Sequence, residues 1–409
     1  MQSRSIILKY GHVIDPRNAI DEPRDLLIRA GRIAAVEQSI VPPPGAIVID
    51  VSGLNVTPGI VDIHTHLYAT TGIPDAWAGD NSVLPDGFSF RSGTTTMVDA
   101  GSSGWKNFPH FKATVIDRTR TRLFAFLNIA SFGMMTELAV QDEEVFDAAR
   151  TAAMAAAYPG LIVGIKTAHY RKPDWTAVER AVEAGERSGL PAMVDFGYFV
   201  RERPYWKLVG EKLRPGDIST HCYRGTVPVV DEQGRLYGYL RKARDRGVRF
   251  DLGHGGGSFV FRNAGPAVRQ GFVPDSISSD LHALSMNTGM MDMPTTMSKL
   301  LNLGMPLVEV IRHSTTVPAG MIGHPELGTL SPGAEADIAV WELREGRFGF
   351  ADSAGGRLEG TKRLSCELTL KSGEVVWDLN ARSAADFRSL GSSCGIREGA
   401  EFILKPSST

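Results

Sequence analysis

The sequence predicts an α/β protein, a (β/α)8 barrel of the TIM type with a small β-sandwich domain formed from both chain ends. Apolar runs alternate with helical stretches through the middle of the chain, and short strand-like segments with glycine turns occupy both ends. Ionisable side chains follow most of the apolar runs. We place the N-terminal part of the sandwich at residues 1–55, the barrel at 56–325, and the C-terminal part with a tail at 326–409.

The two chain ends read as short strands separated by turn residues. The N-terminal segments are 5–8, 25–28, 33–36 and 46–51, and the C-terminal segments are 336–341, 363–370 and 374–377. The simplest arrangement pairs both ends in one β domain beside the barrel. The tail after Gly395 is predicted to be exposed and partly disordered.

The middle of the chain supplies the strands of the predicted barrel, at 59–63, 94–98, 123–129, 161–165, 192–194, 217–220, 249–252 and 276–279. Helices are predicted over 142–157, 174–188 and 234–246. Asp142 and Asp174 stand at favoured N-cap positions, and Gly189 and Gly247 stand where helices commonly end. A doubly wound open sheet is the alternative, but no GxGxxG motif follows any of these strands.

The composition is that of an ordinary globular protein. Among 409 residues, 44 Lys and Arg balance 46 Asp and Glu to a net charge of −2, which leaves no electrostatic footprint for nucleic acid or an anionic membrane. Three widely spaced cysteines do not form a disulfide framework, and no apolar run is long enough for a bilayer span. We expect a cytoplasmic protein that forms a homo-oligomer, acts on a small molecule, and binds neither nucleic acid nor membrane.

His64 and His66 end the first predicted strand. Residues two apart on a strand point to the same side, so both imidazoles face one way. Two convergent imidazoles can form half of a metal site. A pair of surface histidines in a loop fits this short pattern equally well, so the choice depends on the residues at the ends of the other strands.

Further ligand-type side chains follow the later strands. Asp99 follows the second strand, and the fourth to eighth strands are followed by Lys166, Asp195, His221, His254 and Asp280. The C-terminal ends of barrel strands form the face that carries active sites. The sequence therefore predicts a metal centre on this rim.

Lys166 is the unusual member of this set because an ammonium group has no lone pair for a cation. To bind metals it must first react with carbon dioxide, which gives a carbamate with an anionic oxygen. The alternative is an ordinary lysine that forms a salt bridge with Asp195 or Asp280.

Several segments together resemble the amidohydrolase superfamily, in its dihydroorotase-like or amidohydrolase/deacetylase branch. They are TPGIVDIHTHL, the lysine after strand four, STHCYRG, RFDLGHGGGSF, SSDLHA and GTLSPGAEADIAVWE. The resemblance implies a barrel with a binuclear metal centre, usually zinc, bridged by hydroxide and an N6-carboxylated lysine. It implies that His64, His66 and Asp280 hold one ion, that His221 holds the other, and that Lys166 bridges them.

Asp195 departs from this pattern, because strand five of the family supplies a histidine for the second metal and this chain reads MVDFG. A carboxylate can also ligate zinc, and it shifts the preference somewhat toward manganese. We expect Asp195 to be a ligand and the site to hold two divalent ions, zinc or alternatively manganese. A weakened second site with a single working ion is the other interpretation.

The resemblance also suggests roles for the remaining rim residues. Asp280 is expected to act as general acid and base, and His254, His282, His169 and Tyr170 are candidates for contact with substrate. The expected reaction is hydrolysis of the amide or ester bond of a small acylated amino or hydroxy acid. A cyclic amidase of the dihydroorotase or hydantoinase kind is the alternative, followed by a non-catalytic barrel that has lost its metals.

Overall fold

The computed structural model of the protein describes residues 5–136, 138–198, 200–391 and 395, so the predicted tail after Gly395 lies outside the described residues. In chain order the described strands are β1 (Ile6–Asp15), β2 (Ile20–Arg29), β3 (Arg32–Glu37), β4 (Ile47–Asp50), β5 (Asn55–Pro58), β6 (Ile60–Thr65), β7 (Thr94–Gly104), β8 (Arg122–Asn128), β9 (Ile162–Thr167), β10 (Ala192–Asp195), β11 (Ile218–Thr220), β12 (Arg249–Phe250), β13 (Ile338–Ala351), β14 (Arg357–Lys371) and β15 (Glu374–Asp378).

The described α-helices are α1 (Trp77–Asn81), α2 (Phe108–Thr114), α3 (Ala148–Ala157), α4 (Thr176–Ser188), α5 (Tyr205–Lys207), α6 (Gly238–Asp245), α7 (Phe261–Arg269), α8 (Met293–Asn302), α9 (Leu307–Arg312) and α10 (Thr316–Met321). Within the described parts of the chain, none of these helices combines the length and the apolar character that a bilayer crossing requires.

The two chain ends share one mostly antiparallel sheet. Its strand order is β15-β14-β13-β5-β1-β2-β3, and β4 pairs with β1. The ends are joined where β13 runs antiparallel to β5, with Val340 opposite Val56. Both valines are buried in an apolar cluster that also takes in side chains of β1, β2 and β14. The predicted β domain from both ends is therefore confirmed, while its boundaries at residues 55 and 326 stay predictions.

The middle of the chain forms a parallel sheet in sequence order from β6 to β12. The eighth segment closes the circle through single bridges, from Ser276 to Asp251 on one side and from Leu281 to Thr65 on the other. Every residue of β6, β7 and β9 is buried, as expected for parallel strands covered on both faces. The (β/α)8 barrel is confirmed, and its rim brings together the residues that follow each strand.

The predicted helices exist, but they begin later than expected. α3 starts after Asp147, whose side chain accepts a hydrogen bond from the Arg150 amide, whereas Asp142 caps a separate short turn. Both aspartates satisfy the capping preference, and sequence alone does not choose between them. Gly189 ends α4 in the left-handed conformation at φ +70°, as predicted.

Candidate metal centre

The first group of ligand-type side chains is His64, His66 and Asp280. The two histidines lie at the end of β6, and Asp280 lies at the end of the eighth barrel segment. Asp280 Oδ1 is 3.1 Å from His66 Nε2 and 3.6 Å from His64 Nε2. One ligand atom from each residue falls within 4.8 Å of the other two. A single ion can therefore contact all three residues.

The backbone of Asp280 is held in the left-handed region at φ +51°. This conformation costs a non-glycine residue about 1–3 kcal/mol, so the surrounding structure must enforce it. The neighbouring loop contributes, because Gly255 packs so closely that a Cβ there would lie 2.3 Å from Asp280 Oδ2. A side chain at position 255 would therefore displace the Asp280 carboxylate, and glycine leaves it the room to face the histidines.

The far nitrogens of the two histidines are held by other side chains. His64 Nδ1 is 2.9 Å from Thr220 Oγ1 and 3.2 Å from a carboxylate oxygen of Asp251. Because that carboxylate only accepts hydrogen bonds, Nδ1 carries the proton and Nε2 presents its lone pair to the cavity. His66 Nδ1 lies 3.1 Å from Ser102 Oγ. Partners of this kind orient imidazoles for metal binding.

Lys166 lies at the end of β9 and is almost fully buried beside the first group. Its Nζ atom is 3.2 Å from His64 Nε2 and 3.5 Å from Met193 Sδ. Burial lowers the pKa of Lys166, against the opposing effect of the Asp195 and Asp280 carboxylates. The side chain therefore lies on the rim as predicted, in surroundings that favour the neutral amine.

A second group surrounds the end of β10. Asp195 Oδ2 is 3.6 Å from His221 Nε2 and 3.5 Å from His169 Nε2. Its other oxygen accepts a hydrogen bond from Arg224 Nη1 at 2.8 Å. His221 donates from Nδ1 to the Gly253 carbonyl at 2.6 Å, so its Nε2 also faces the cavity as a lone pair.

Burial and neighbouring side chains set the protonation of the ionisable groups in the site. Burial raises the pKa of Asp280, but the imidazoles of His64, His66 and His282 outweigh it and hold the pKa well below its usual value. Burial also raises the pKa of Asp195, but Arg224 and the neighbouring imidazoles outweigh this effect and lower the pKa below its usual value. Burial lowers the pKa of His221 to about 3, which keeps that imidazole neutral. Ionised carboxylates and neutral imidazoles are the forms that bind cations.

A cavity of about 320 Å³ opens over both groups. Its lining includes His282 and Trp77, and the His282 ring lies 5.7 Å from the indole and 6.1 Å from His66. Burial lowers the pKa of His282 to about 4, so this imidazole faces the cavity uncharged. His282 and His169 are thus both placed where a substrate contact is feasible.

Two predicted substrate contacts lie elsewhere. His254 is fully buried outside the cavity lining, donates from Nδ1 to the Gly255 carbonyl, and accepts from Lys299 at 2.7 Å. Tyr170 does not line the cavity, and its hydroxyl lies 2.9 Å from Glu143 Oε1 and 2.8 Å from Asp174 Oδ1, to either of which it can donate. Neither residue lines the cavity in this structure, and their contact with substrate stays a prediction.

The structure adds residues that sequence reasoning missed: Asp251, Thr220, Ser102 and Trp77. Asp251 lies in the segment RFDLGHGGGSF, two residues before Gly253, so strand periodicity could have placed it inside the barrel. Thr220 directly precedes His221, and Ser102 lies three residues after Asp99 near the end of β7. Trp77 carries no comparable signal, because it comes from a short helix between strands.

The donor set fits divalent cations. The first group offers two imidazole nitrogens and one carboxylate oxygen, which is a ligand set that zinc accepts, and the Asp251 carboxylate fixes the His64 proton on the outer nitrogen. No side chain of this group has to change its direction to place its ligand atom near the other two. The residues that would hold an ion are therefore oriented for it.

Known proteins share these features. The family model described as the amidohydrolase family matches residues 260–376. A deacetylase of Agrobacterium fabrum (strain C58) is 35% identical over 360 residues, which covers 85% of each chain. The chain belongs to the amidohydrolase superfamily. This membership makes it a hydrolytic enzyme that acts on carbon–nitrogen bonds, and it implies divalent metal ions.

This amidohydrolase is also similar to solved structures. A structure described as an adenine deaminase has a TM-score of 0.82 at 26% identity and covers 92% of this chain and 100% of its own. A structure described as a dihydroorotase has a TM-score of 0.81 at 30% identity and covers 91% of this chain and 99% of its own. The fold is thus shared by family members with different substrates, and the choice of substrate depends on the site.

Proposed function

We propose that this amidohydrolase cleaves the amide or ester bond of a small acylated amino or hydroxy acid. The observation that carries the proposal is the convergence of His64, His66 and Asp280 at the floor of a cavity that also holds Lys166 and His221. The deacetylase with 35% identity along most of its length supports the substrate class.

The residues that would hold the ions belong to the two groups. His64, His66 and Asp280 would bind one cation, and His221 with Asp195 would bind another. Lys166 would bridge them as an N6-carboxylated side chain, since its neutral amine is the form that reacts with carbon dioxide. Zinc suits the imidazole-rich first group, with manganese as the alternative. When bound, such ions lower the pKa of a water molecule and polarise a carbonyl oxygen.

Asp280 is proposed to move the proton. Its carboxylate is ionised at neutral pH and faces the cavity, so it can accept a proton from the attacking water. It would then deliver that proton to the leaving nitrogen or oxygen as the bond breaks. Burial lowers the pKa of His221 to about 3 and that of His282 to about 4, so these two imidazoles do not compete as acids at neutral pH.

The cavity favours compact substrates. Its volume of about 320 Å³ lies at the lower end of the range of about 300–1,000 Å³ for small-molecule sites, which suits an acetylated amino or hydroxy acid. Arg224 reaches the wall, but its guanidinium already donates to Asp195 and to Ser258. We therefore expect Arg224 mainly to hold Asp195 in place and only secondarily to contact a substrate carboxylate.

A panel of substrates tests this proposal. Purified enzyme is incubated with N-acetyl-D- and N-acetyl-L-amino acids, acetyl esters of α-hydroxy acids, and dihydroorotate, and product release is measured. We expect hydrolysis of at least one acetylated acid, and loss of that activity on chelation of the metal. Turnover of none of the acetylated acids, or turnover that survives chelation, contradicts the proposal.

A cyclic amidase is the second candidate, because the dihydroorotase structure is 30% identical and superposes on nearly the whole chain. Both reactions would use the same ligand residues. Ring opening of dihydroorotate in the same panel, without release of acetate from any acetylated acid, would decide for this candidate.

A further inference from the structure

A second cavity, of about 370 Å³, adjoins the cavity over the ligand groups, and we call it the outer cavity. His169, Arg224 and Gly257 line both cavities. Because the two cavities share these walls, a molecule bound over the ligand groups can extend into the outer cavity. The remaining lining residues are Gly197 and Tyr198 after β10, Gly225 and Thr226 after β11, Val260 before α7, and Ser353 and Ala354 between β13 and β14.

Arg224 lies where the two cavities meet, and its guanidinium is held from two sides. Nη1 donates to Asp195 Oδ1 at 2.8 Å, and Nε donates to Ser258 Oγ at 3.1 Å. The side chain is 18% exposed, so most of it is packed against the protein. The passage between the cavities is therefore bounded by a side chain with a fixed position.

The far wall of the outer cavity comes from the β domain. The turn between β13 and β14 carries Ser353 and Ala354, and it is fastened to the barrel segment that precedes α7. The Ser353 amide donates to the Phe259 carbonyl at 2.8 Å, and Ser353 Oγ accepts from the Phe259 amide at 3.2 Å. Asp352 Oδ2 accepts from the Phe261 amide at 2.9 Å. The β domain thus supplies a fixed part of a cavity that opens from the barrel rim.

The walls of the outer cavity suit an uncharged group. Val260, Ala354 and the Tyr198 ring offer apolar surface. No aspartate or glutamate is among the described residues that line it, and Arg224 is a permanent cation. A cationic group would find no carboxylate on these walls, whereas an apolar side chain would leave water for an apolar surface.

We propose that the outer cavity binds the side chain of the amino or hydroxy acid that the reaction releases, and that it selects bulky, uncharged side chains. The inference rests on the proposed function, in which the scissile carbonyl lies over the ligand groups. An acetyl group ends one methyl beyond that carbonyl, so it has nothing to extend into a second cavity. The substituent on the released acid is the part of the substrate that differs in length and can fill it.

The test uses two isomeric substrates that carry the same benzyl group on opposite sides of the amide. N-acetylphenylalanine has it on the released acid, and N-phenylacetylalanine has it on the acyl group. N-acetylalanine lacks it altogether. The kcat/KM of zinc-loaded enzyme is measured for each acid, and the Kd of any acid that is not turned over is measured by calorimetry.

Two variants reduce the outer cavity from opposite walls. Gly225→Leu adds a side chain at a position where a Cβ would meet, within 4 Å, only Val260 Cγ1 at 3.9 Å, and its φ lies outside the left-handed region. Ala354→Leu adds bulk from the turn of the β domain. Gly238→Leu is the matched control, because this glycine also has room for a Cβ, has a φ outside the left-handed region, and lines neither cavity.

Wild-type enzyme should prefer N-acetylphenylalanine to N-acetylalanine by about tenfold or more, as expected of an apolar pocket that receives an aromatic ring. Gly225→Leu and Ala354→Leu should abolish this preference, and Gly238→Leu should retain it. N-phenylacetylalanine should gain no comparable advantage over N-acetylalanine in any of the four proteins.

Three results would overturn the inference. They are equal kcat/KM or Kd values for N-acetylphenylalanine and N-acetylalanine in wild type, a preference that survives in both cavity variants, and a preference for N-phenylacetylalanine that these variants remove. By contrast, tighter binding of N-acetylphenylalanine that both cavity variants lose, without hydrolysis of any acid, would support the outer cavity and count against the proposed function alone.

Discussion

The two ligand groups on the barrel rim differ in how completely the polypeptide supplies them. His64, His66 and Asp280 converge without any chemical change, and oxygen partners already fix the outer nitrogens of the imidazoles. In the second group, Asp195 and His221 lie close together, but the Asp195 carboxylate also accepts a hydrogen bond from Arg224, and the proposed cation there needs a carboxylated Lys166. The first group therefore needs no chemical change to contact one ion, whereas the proposed second site does.

The largest effect is expected when the first group keeps its metal but loses its proton carrier. Asp280→Asn retains an oxygen for the ion but cannot accept a proton, so turnover should fall about 10²- to 10⁴-fold. Steady-state kinetics and the zinc content of the same sample check this. Near-native turnover with the metal retained would refute the assigned role of Asp280.

Loss of the Lys166 amine should weaken cation binding at the second group more than at the first. Lys166→Met keeps the side-chain length but cannot form a carbamate, so the second ion should be lost and turnover should fall about 100-fold, corresponding to about 3 kcal/mol. Wild-type enzyme equilibrated with ¹³C-bicarbonate should show a carbamate resonance by NMR that Lys166→Met lacks. A wild-type enzyme with two ions and no such resonance would contradict the bridging role.

A smaller change should weaken only the first group. Asp251→Asn removes the carboxylate that fixes the His64 tautomer, and partners of this kind contribute about 10- to 100-fold to metal affinity. Competition with a zinc chelator measures the affinity of the tighter site. Asp275→Asn, a buried carboxylate paired with Arg244 away from the cavity, is the control and should bind zinc normally. Equal affinity in the two variants would remove Asp251 from the site.

The smallest effect is expected at Lys299, which belongs to neither ligand group and does not line the cavity. Burial lowers the pKa of this amine to about 7, against the pull of Asp352 and Asp292. Between pH 7 and 9 the unfolded chain therefore keeps a proton that the folded chain has lost, and the free energy of unfolding rises with pH. The free energy of unfolding of the wild type, relative to that of Lys299→Met, should therefore rise by about 2 kcal/mol from pH 7 to pH 9.

Urea unfolding of wild type and Lys299→Met at pH 7 and pH 9 measures this difference. Zinc content should be the same in both proteins, because Lys299 contacts His254 and the Gly289 carbonyl rather than a ligand. A difference in unfolding free energy that does not change with pH would show that Lys299 keeps its proton in the fold.

Much of the barrel was predictable because strand periodicity and strand ends are local properties of the sequence. Buried parallel strands give unbroken apolar runs, and the residue after each run reaches the rim, which located His64, His66, Lys166, Asp195, His221 and Asp280. The eighth predicted strand is less regular in the structure, since it contributes only two bridges to the sheet among the described residues.

The sequence did not reveal the backbone conformation of the segments that follow the strands. Gly253 adopts φ +49°, which turns the chain so that His254 faces Lys299, 45 residues further on, instead of the cavity. The left-handed His169 shows the reverse case, because its turn brings the imidazole to Asp195. Gly253 permits a left-handed turn, but the sequence does not show which way His254 then faces, and nothing near His169 signals its left-handed backbone. These contacts therefore emerge only from the folded chain.

The most direct test is the position of the bound metal. Crystals of zinc-loaded enzyme, measured at the zinc absorption edge, should show an anomalous peak about 2.0–2.1 Å from His64 Nε2 and His66 Nε2, with a second peak beside His221. Absence of any peak at His64 and His66, with zinc bound elsewhere or not at all, would contradict the account.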